Sequence, residues 1–159
     1  MIVAWTGHRP ELFRDPNAAR ASVDATAREL AERAALRFLI GGQRGVDTWA
    51  ALAAIACAVP FRLVLPAEVD TFTRGWLKSD RVVLIHTLSR AEAVHVAGGY
   101  TERNQILAHH AELLIAVWTR TSGGGTAETL ALATSAGTPV REIVLEPSPT
   151  ATTAHGRGI

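Results

Sequence analysis

Six short apolar runs alternate along this chain with longer segments whose apolar residues recur at helical spacing. The runs lie at residues 2–6, 37–40, 61–65, 93–96, 113–118 and 140–144. Two consecutive parallel strands need a long crossover between them, and a helix is the usual crossover, so this order is typical of a parallel sheet. It predicts an α/β fold, with a mainly parallel sheet of about six strands and helices on both faces.

Local signals mark where the crossover helices start. Asp15 followed by Pro16 is typical of a cap and a first helical residue, and that helix is predicted to end near Arg33. Residues suited to cap three later helices stand before each of them: Asp47, Thr101 and Thr126. The stretch 70–90 is compatible with helix or strand, and helix is favoured because the third strand needs a crossover to the fourth.

Length and composition restrict the class of protein. The 159 residues are 48% hydrophobic and 19% charged, which predicts one domain over residues 1–146 and a flexible tail over 147–159. The formal net charge of +1 lacks the basic excess of a dedicated nucleic-acid surface, so a nucleic-acid partner is not expected. Cys57 is the only cysteine, and neither a signal peptide nor a membrane-length apolar run is visible. A cytoplasmic protein without a membrane partner is therefore expected.

The segment after the apolar run 113–118 has the pattern of an anion site. Three glycines and a threonine stand between a predicted buried strand and a predicted helix: Gly123, Gly124, Gly125 and Thr126. Glycines let the backbone approach a ligand, and a helix N-terminus offers unpaired N–H groups and the positive end of its dipole. This loop is therefore a candidate site for a phosphate or a nucleotide. The alternative is a flexible turn with a capping threonine.

Glycine also occurs together with arginine or histidine after other predicted strands. The residues are Gly7, His8 and Arg9 after the first strand, Gly41, Gly42 and Arg44 after the second, and Gly98 to Arg103 after the fourth. The carboxyl ends of parallel strands share one edge of the sheet, where α/β proteins bind ligands. The guanidinium of Arg44 beside backbone N–H groups suits a phosphate. These loops are therefore expected to line one ligand site together with residues 123–126.

The six histidines of the chain do not predict a metal site. No cysteine or histidine spacing typical of a zinc site occurs in the sequence. No metal is therefore expected, and no cofactor is expected to be required beyond the bound nucleotide or phosphate itself.

Several of these motifs resemble those of known families. Residues 41–47, Gly-Gly-Gln-Arg-Gly-Val-Asp, resemble a loop of the DprA/Smf proteins. Residues 100–104, Tyr-Thr-Glu-Arg-Asn, together with 124–126 resemble the LOG proteins, once called lysine decarboxylase-like, and the opening residues 6–10 are similar to the YpsA-type branch. These groups belong to the SLOG superfamily. The resemblance implies a Rossmann-like three-layer sandwich with a nucleotide-derived ligand.

The resemblance also implies two catalytic residues. LOG enzymes cleave the N-glycosidic bond of a nucleoside 5′-monophosphate with the help of an arginine and a glutamate, and Arg103 matches that arginine. The LOG pattern, Pro-Gly-Gly-x-Gly-Thr-x-x-Glu, has its glutamate where this chain has Thr129, and Glu128 stands one residue earlier. One residue rotates a helical side chain by about 100°. Glu128 is thus an imperfect match, and Glu102 is the substitute carboxylate.

Three functions stay open at this point. The first is a protein that binds a nucleotide or nucleotide derivative through residues 123–126. The second is a LOG-like nucleoside 5′-monophosphate phosphoribohydrolase. The third is DprA-like DNA binding, which the net charge and the 6% aromatic content disfavour. A homo-oligomer, a dimer or larger, is expected from the resemblance, and the alanine-rich helix 48–58 suits either the core or a subunit interface.

Overall fold

The computed structural model describes residues 1–121 and 124–149. Its centre is a six-stranded sheet in which every strand is parallel to its neighbours. The strands are β1 (Ile2–Gly7), β2 (Arg37–Ile40), β3 (Phe61–Leu65), β4 (Ala93–Val96), β5 (Leu113–Trp118) and β6 (Val140–Val144). Their order across the sheet is β4-β3-β2-β1-β5-β6. The α/β fold that the sequence predicts, with about six parallel strands, is confirmed.

Helices occupy the crossovers of this sheet. They are α1 (Pro16–Ala31), α2 (Val46–Ala56), α3 (Val69–Phe72), α4 (Lys78–Arg90), α5 (Tyr100–His110) and α6 (Gly124–Ala136), and a short 3-10 helix covers Pro10–Leu12. Most of the ambiguous stretch 70–90 is helical, as favoured, because it carries the chain from β3 to β4. No helix within residues 1–121 and 124–149 is long and apolar enough to cross a membrane.

Alternate residues of the strands build two cores on opposite faces of the sheet. On one face Val3 and Trp5 of β1 pack with α1 and α2. On the other face Ala4 of β1 and Leu114 of β5 pack with α5 and α6. Helices therefore cover both faces, which gives the three-layer sandwich.

The helix starts correct three of the predicted caps. Asp15 caps α1 as predicted, since its carboxylate accepts a hydrogen bond from the Ala18 backbone at 3.1 Å. The helices α2, α5 and α6 start before the predicted caps, at Val46, Tyr100 and Gly124. The predicted caps therefore lie inside the first turn of their helices: Asp47, Thr101 and Thr126. The actual cap of α2 is Gly45, whose φ of 87° suits glycine and strains other residues.

The alanine-rich helix α2 is packed inside the domain. Ala50 and Ala54 are fully buried, and the helix contacts α1 and α4. Of the two positions that its composition allows, it takes the core. Apolar side chains are instead exposed on α4 and β4: Val82, Ile85, Val94 and Val96. The homo-oligomer stays a prediction, and these four side chains are better candidates for its interface than α2.

The beginning of the predicted tail contacts the domain. Phe13 and Pro147 form an isolated antiparallel bridge, and the Ser148 backbone donates to the Leu12 carbonyl at 3.0 Å. The remainder of the predicted tail, residues 150–159, lies outside the described residues. The domain boundary at residue 146 therefore stays a prediction.

Candidate functional site

The winding of the sheet reverses between β1 and β5. From β1 the chain proceeds through β2 and β3 to the β4 edge, and it then returns to β5 on the other side of β1. Sheets of this kind bind ligands in the crevice outside the carboxyl ends of the two strands at the reversal. The residues that follow β1 and β5, 8–9 and 119–121, border this crevice together with the start of α6.

Arg103 is buried at this edge of the sheet, on the first turn of α5, with 6% of its surface exposed. Its guanidinium donates to the Gly41 carbonyl at 2.7 Å, and its Nε donates to the Asn104 side-chain oxygen at 2.8 Å. Its Cζ lies 5.5 Å from the centroid of the Tyr100 ring. A Cβ on Gly41 would lie 2.6 Å from the guanidinium. The close approach of Arg103 therefore requires glycine at that position.

Asp47 is the buried carboxylate that interacts with Arg103. Its Oδ2 accepts the Gln43 backbone N–H at 3.1 Å, and its Oδ1 has no hydrogen-bond partner among the described residues. Burial raises the pKa of Asp47 to about 6, although the charge of Arg103 acts to lower it. Burial likewise lowers the pKa of Arg103, against the attraction of Asp47. Burial thus disfavours the charged form of both Asp47 and Arg103, and pKa shifts of this kind are frequent at functional sites.

Asn104 forms a buried cluster with Arg103 and Asp47, and it connects this cluster to the glycine loop. Its surface is 2% exposed, its oxygen accepts from Arg103, and its Nδ2 has no hydrogen-bond partner among the described residues. That nitrogen lies 3.8 Å from the position that a Cβ on Gly125 would take. It therefore faces the first turn of α6, where helix geometry leaves backbone N–H groups unpaired. An unpaired buried donor beside a helix N-terminus suits an anion.

Of the two candidate catalytic carboxylates, Glu128 is the one that interacts with Arg103. Burial lowers the pKa of Arg103, and the Glu128 carboxylate is among the charges that oppose this effect. Glu128 is half-buried on α6. Glu102 is exposed and accepts a hydrogen bond from the Gly98 backbone. The shift of one residue relative to the LOG pattern therefore keeps Glu128 within electrostatic reach of Arg103.

His8 lies at the reversal point, and one nitrogen of its buried ring has a partner within the protein. Its Nε2 lies 3.1 Å from the Thr119 hydroxyl, which lies 2.6 Å from the Thr121 hydroxyl. The rings of Phe13 and Trp118 pack against it at centroid distances of 5.8 Å and 6.0 Å. Burial lowers the pKa of His8 to about 4, so the ring is neutral at pH 7. This side chain joins the end of β1 to the residues that follow β5.

Arg44 lies outside the Arg103 cluster, in the wall of a neighbouring cavity. Its guanidinium donates to Glu11 at 2.7 Å and lies 3.9 Å from Asp80. The cavity has a volume of about 420 Å³. It is lined by Arg9, Gln43, Arg44, Phe72, Arg74, Gly75, Trp76, Leu77, Asp80 and Tyr100. Tyr100 belongs both to this lining and to the cluster, because its ring also packs against Arg103.

The residues predicted for one site fall into three groups. Arg103 belongs to the buried cluster, Gly41 and Gly125 lie beside it, and Glu128 interacts with it electrostatically. Gly124 and Thr126 lie in the same first turn of α6 as Gly125. Arg9 and Arg44 line the cavity. Gly7, His8 and Gly42 pack in the interior, where an added Cβ on either glycine would collide with Val46 or Leu65. Gly123 lies outside the described residues.

Two residues of the cluster were missed as site residues by the sequence analysis. Asp47 was predicted to be a helix cap, and Asn104 was noted only within the motif at residues 100–104. The pairing of arginine and asparagine in that motif is the one local sign that an amide accompanies the buried guanidinium. No group of three or more metal-ligating side chains occurs in the part of the chain that the structure describes.

The sequence matches no family model and no curated protein, but solved structures share its fold. The DNA processing protein A (DprA) of Streptococcus pneumoniae matches 88% of this chain at a TM-score of 0.66 and 21% identity, and the chain spans about half, 49%, of that protein's chain. The Helicobacter pylori DprA, which binds single-stranded DNA, matches at a TM-score of 0.67 and 18% identity, with 99% of this chain and 73% of its own covered.

A third similar structure is the molybdenum cofactor (Moco) carrier protein of Chlamydomonas reinhardtii. It matches at a TM-score of 0.64 and 22% identity, with 98% of this chain and 82% of its own covered. At these identities the likeness establishes the fold and leaves the ligand open. The chain therefore has the Rossmann-like fold that its sequence predicted, and it shares that fold with these structures.

Proposed function

We propose that this protein binds a nucleoside phosphate or a related nucleotide derivative, with the phosphate at the N-terminus of α6. The observation that carries the proposal is the unpaired, buried Nδ2 of Asn104, which faces that helix terminus. A buried donor without a partner destabilises a protein by about 1–3 kcal/mol. A phosphate oxygen at this position would satisfy it.

The surroundings of that position favour an anion. Gly124 and Gly125 are exposed, so a ligand can reach their backbone. Helix α6 has 13 residues and points the positive end of its dipole at the site. The hydroxyl of Thr126 lies in the same turn, and the buried charge of Arg103 lies on the other side of Asn104. The first turn of α6 and Asn104 therefore offer backbone, hydroxyl and amide donors for a phosphate.

The known ligands of the similar structures are compatible with this proposal. The Helicobacter pylori DprA binds single-stranded DNA, and the Chlamydomonas protein carries the molybdenum cofactor. Single-stranded DNA contains phosphate, which the α6 terminus suits. The net charge of +1 favours a small ligand over a long polyanion.

Asn104→Asp is the sharpest test of the phosphate site. It keeps the oxygen that accepts from Arg103 but replaces the free donor with a charge that repels phosphate. We expect the affinity for nucleoside 5′-monophosphates, measured by titration calorimetry, to fall at least about tenfold while the melting temperature is retained. Asn17→Asp, the same change on the exposed surface of α1, is the control. Equal affinity in both variants would remove Asn104 and the α6 terminus from the site.

The second candidate function is the phosphoribohydrolase, and the electrostatic contact between Glu128 and Arg103 favours it. Glu128 would stabilise the positive charge that develops on the sugar, and Arg103 would orient the phosphate. Chromatography of each nucleotide after incubation separates the two functions. Release of free base by the wild type and its loss in Glu128→Gln, with binding retained, would establish an enzyme. Retention of intact nucleotide would establish a binding protein.

Two other expectations are tested with the same material. A short single-stranded DNA in the calorimeter tests the DprA-like alternative, and DNA binding that is tighter than nucleotide binding would displace the proposal. Light scattering after size-exclusion chromatography tests the homo-oligomer. A monomeric mass at working concentration would contradict it.

A further inference from the structure

The cavity beside the cluster has one aromatic wall. Phe72, Trp76 and Tyr100 form it, with the Phe72 ring 5.0 Å from the Trp76 ring and 6.4 Å from the Tyr100 ring. Phe72 is buried, whereas Trp76 is half-buried and Tyr100 is 53% exposed. The rings of Trp76 and Tyr100 therefore remain partly exposed in a cavity of about 420 Å³, which is large enough for a small ligand. Such faces suit a planar ring, since stacking needs no particular sequence of polar atoms.

The lining of the cavity also contains a hydrogen-bond donor and an acceptor close to each other. Arg44 and Asp80 both line the cavity, with 3.9 Å between a guanidinium nitrogen and a carboxylate oxygen. The Glu11 carboxylate accepts a hydrogen bond from the Arg44 guanidinium at 2.7 Å, which fixes the position of the guanidinium. Arg74 adds a second guanidinium to the lining, and it makes no ion pair with any residue that the structure describes. A planar ring with a hydrogen-bond acceptor next to its donors would pair with Arg44 and Asp80.

We infer that this cavity is the base-binding subsite of the proposed nucleotide and that it prefers a guanine-type base. Guanine places its O6 acceptor directly beside two donors, N1–H and the exocyclic amine. Arg44 would donate to O6, and Asp80 would accept both neighbouring hydrogens as a bidentate carboxylate. Adenine offers that carboxylate only one amino group. This inference rests on the proposed function, because it supplies the base end of the same ligand.

One helix joins the two ends of the inferred ligand. Tyr100 belongs to the cavity, Arg103 packs on its ring, and Asn104 faces the α6 terminus. Tyr100 and Asn104 are four residues apart on α5, which is about 6 Å along the helix axis. A ribose between base and phosphate spans a separation of this order. The first turn of α5 would therefore lie under the sugar.

The experiment compares four probes by titration calorimetry: GMP, AMP, ribose 5-phosphate and guanosine. GMP should bind more tightly than AMP and more tightly than ribose 5-phosphate, which lacks a base. Trp76→Ala should weaken the binding of GMP by about 5- to 150-fold, the range expected for one stacked base. The affinity for ribose 5-phosphate should stay unchanged. Trp76→Phe keeps an aromatic face and should retain most of the affinity, which guards against a local folding defect.

Asp80→Asn tests the choice of base. It keeps the shape of the side chain but leaves one acceptor instead of two, so the preference for GMP over AMP should fall about tenfold. Asp24→Asn on α1, at a residue that is not part of the cavity lining, is the matched control and should leave that preference unchanged.

The outcomes separate the inference from the function on which it rests. GMP binding no tighter than ribose 5-phosphate, with no effect of Trp76→Ala, would overturn the subsite while leaving the phosphate site intact. Equal affinity for GMP and AMP in the wild type would overturn the guanine preference. Binding of guanosine without ribose 5-phosphate would support the subsite and overturn the phosphate site. Binding of none of the probes would overturn both.

Discussion

Two buried polar groups at the same edge of the sheet differ in how well the protein satisfies them. His8, after β1, is neutral at pH 7 and lies 3.1 Å from the Thr119 hydroxyl within a shell of aromatic rings. The cluster of Arg103, Asp47 and Asn104 is equally buried, yet it retains an unpaired carboxylate oxygen and an unpaired amide nitrogen among the described residues.

This difference separates a structural role from a functional one better than residue type does. Both groups follow glycine-bearing turns, and both carry side chains that catalyse or bind in other proteins. A polar atom that has a protein partner, such as Nε2 of His8, leaves less for a ligand to supply. Open donors and acceptors in a buried place destabilise the free protein, and a ligand that pairs them recovers that free energy. The variants below test whether the two regions behave in these two ways.

The largest expected effect comes from Arg103→Met, which leaves the carboxylate of Asp47 buried without its cation. Removing one partner of a buried ion pair destabilises a protein by about 3–5 kcal/mol, and Arg103 and Asp47 interact electrostatically without a direct ion pair. We therefore expect a loss at the lower end of that range in the free energy of unfolding, measured with urea at pH 7.5. Adding Asp47→Asn to the same chain should restore much of the loss, because the uncompensated charge is then gone.

The double variant decides whether charge or packing causes that loss. If Arg103→Met and the double variant are equally destabilised, the guanidinium contributes through packing and its hydrogen bond to Gly41, and the charged cluster is not the source of the cost. His8→Asn should lower the free energy of unfolding by less than Arg103→Met does under the same conditions, since it leaves no buried charge.

The pH dependence of stability should have opposite signs in the two regions. Folding raises the pKa of Asp47 from 3.8 to about 6, so the unfolded chain loses this proton first and stability falls as the pH rises from 4 to 6. Folding lowers the pKa of His8 from 6.5 to about 4, so the unfolded chain gains this proton first and stability falls as the pH drops from 6.5 to 4. Each effect amounts to about 3 kcal/mol at 1.36 kcal/mol per pKa unit.

Because the two effects oppose each other in one pH range, single variants should uncover them. Asp47→Asn should become more stable as the pH rises from 4 to 6.5, and His8→Asn should become less stable as the pH rises from 4 to 6. Urea titrations at half-unit intervals measure both slopes. The same slope in both variants would mean that neither buried group dominates the titration.

The sequence predicted the fold well because its signals are local. The apolar runs and the glycines at strand ends need only their neighbours along the chain to be recognised, and they locate all six strands. The caps were less accurate: Asp47 has the chemistry of a cap, but the left-handed turn at Gly45 starts the helix one residue before it. That shift of position makes Asp47 a buried carboxylate instead of a surface cap.

The composition of the site was harder to predict because it depends on contacts between distant segments. Arg103 and Gly41 are 62 residues apart, and their hydrogen bond exists only once folding brings the start of α5 to the end of β2. His8 followed the pattern of a ligand loop, but packing against Phe13 and Trp118 encloses its side chain. Sequence alone shows which polar residues reach the edge of the sheet, and tertiary packing decides which of them stay unpaired.

The smallest expected effect is that of Thr119→Val, which tests the satisfied side directly. Valine keeps the shape of threonine but removes the hydroxyl near His8 Nε2 and Thr121. We expect a loss of about 1–2 kcal/mol in the free energy of unfolding, the net value of one buried hydrogen bond with a partner left unpaired. Nucleotide affinity should stay within about twofold of the wild type, because the hydroxyl contacts protein groups only. Asn104→Asp should do the reverse, with weak effects on stability and strong effects on binding. If Thr119→Val weakens nucleotide binding tenfold, the His8 network also contacts the ligand, and closed hydrogen bonding is not the property that separates structure from function at this edge.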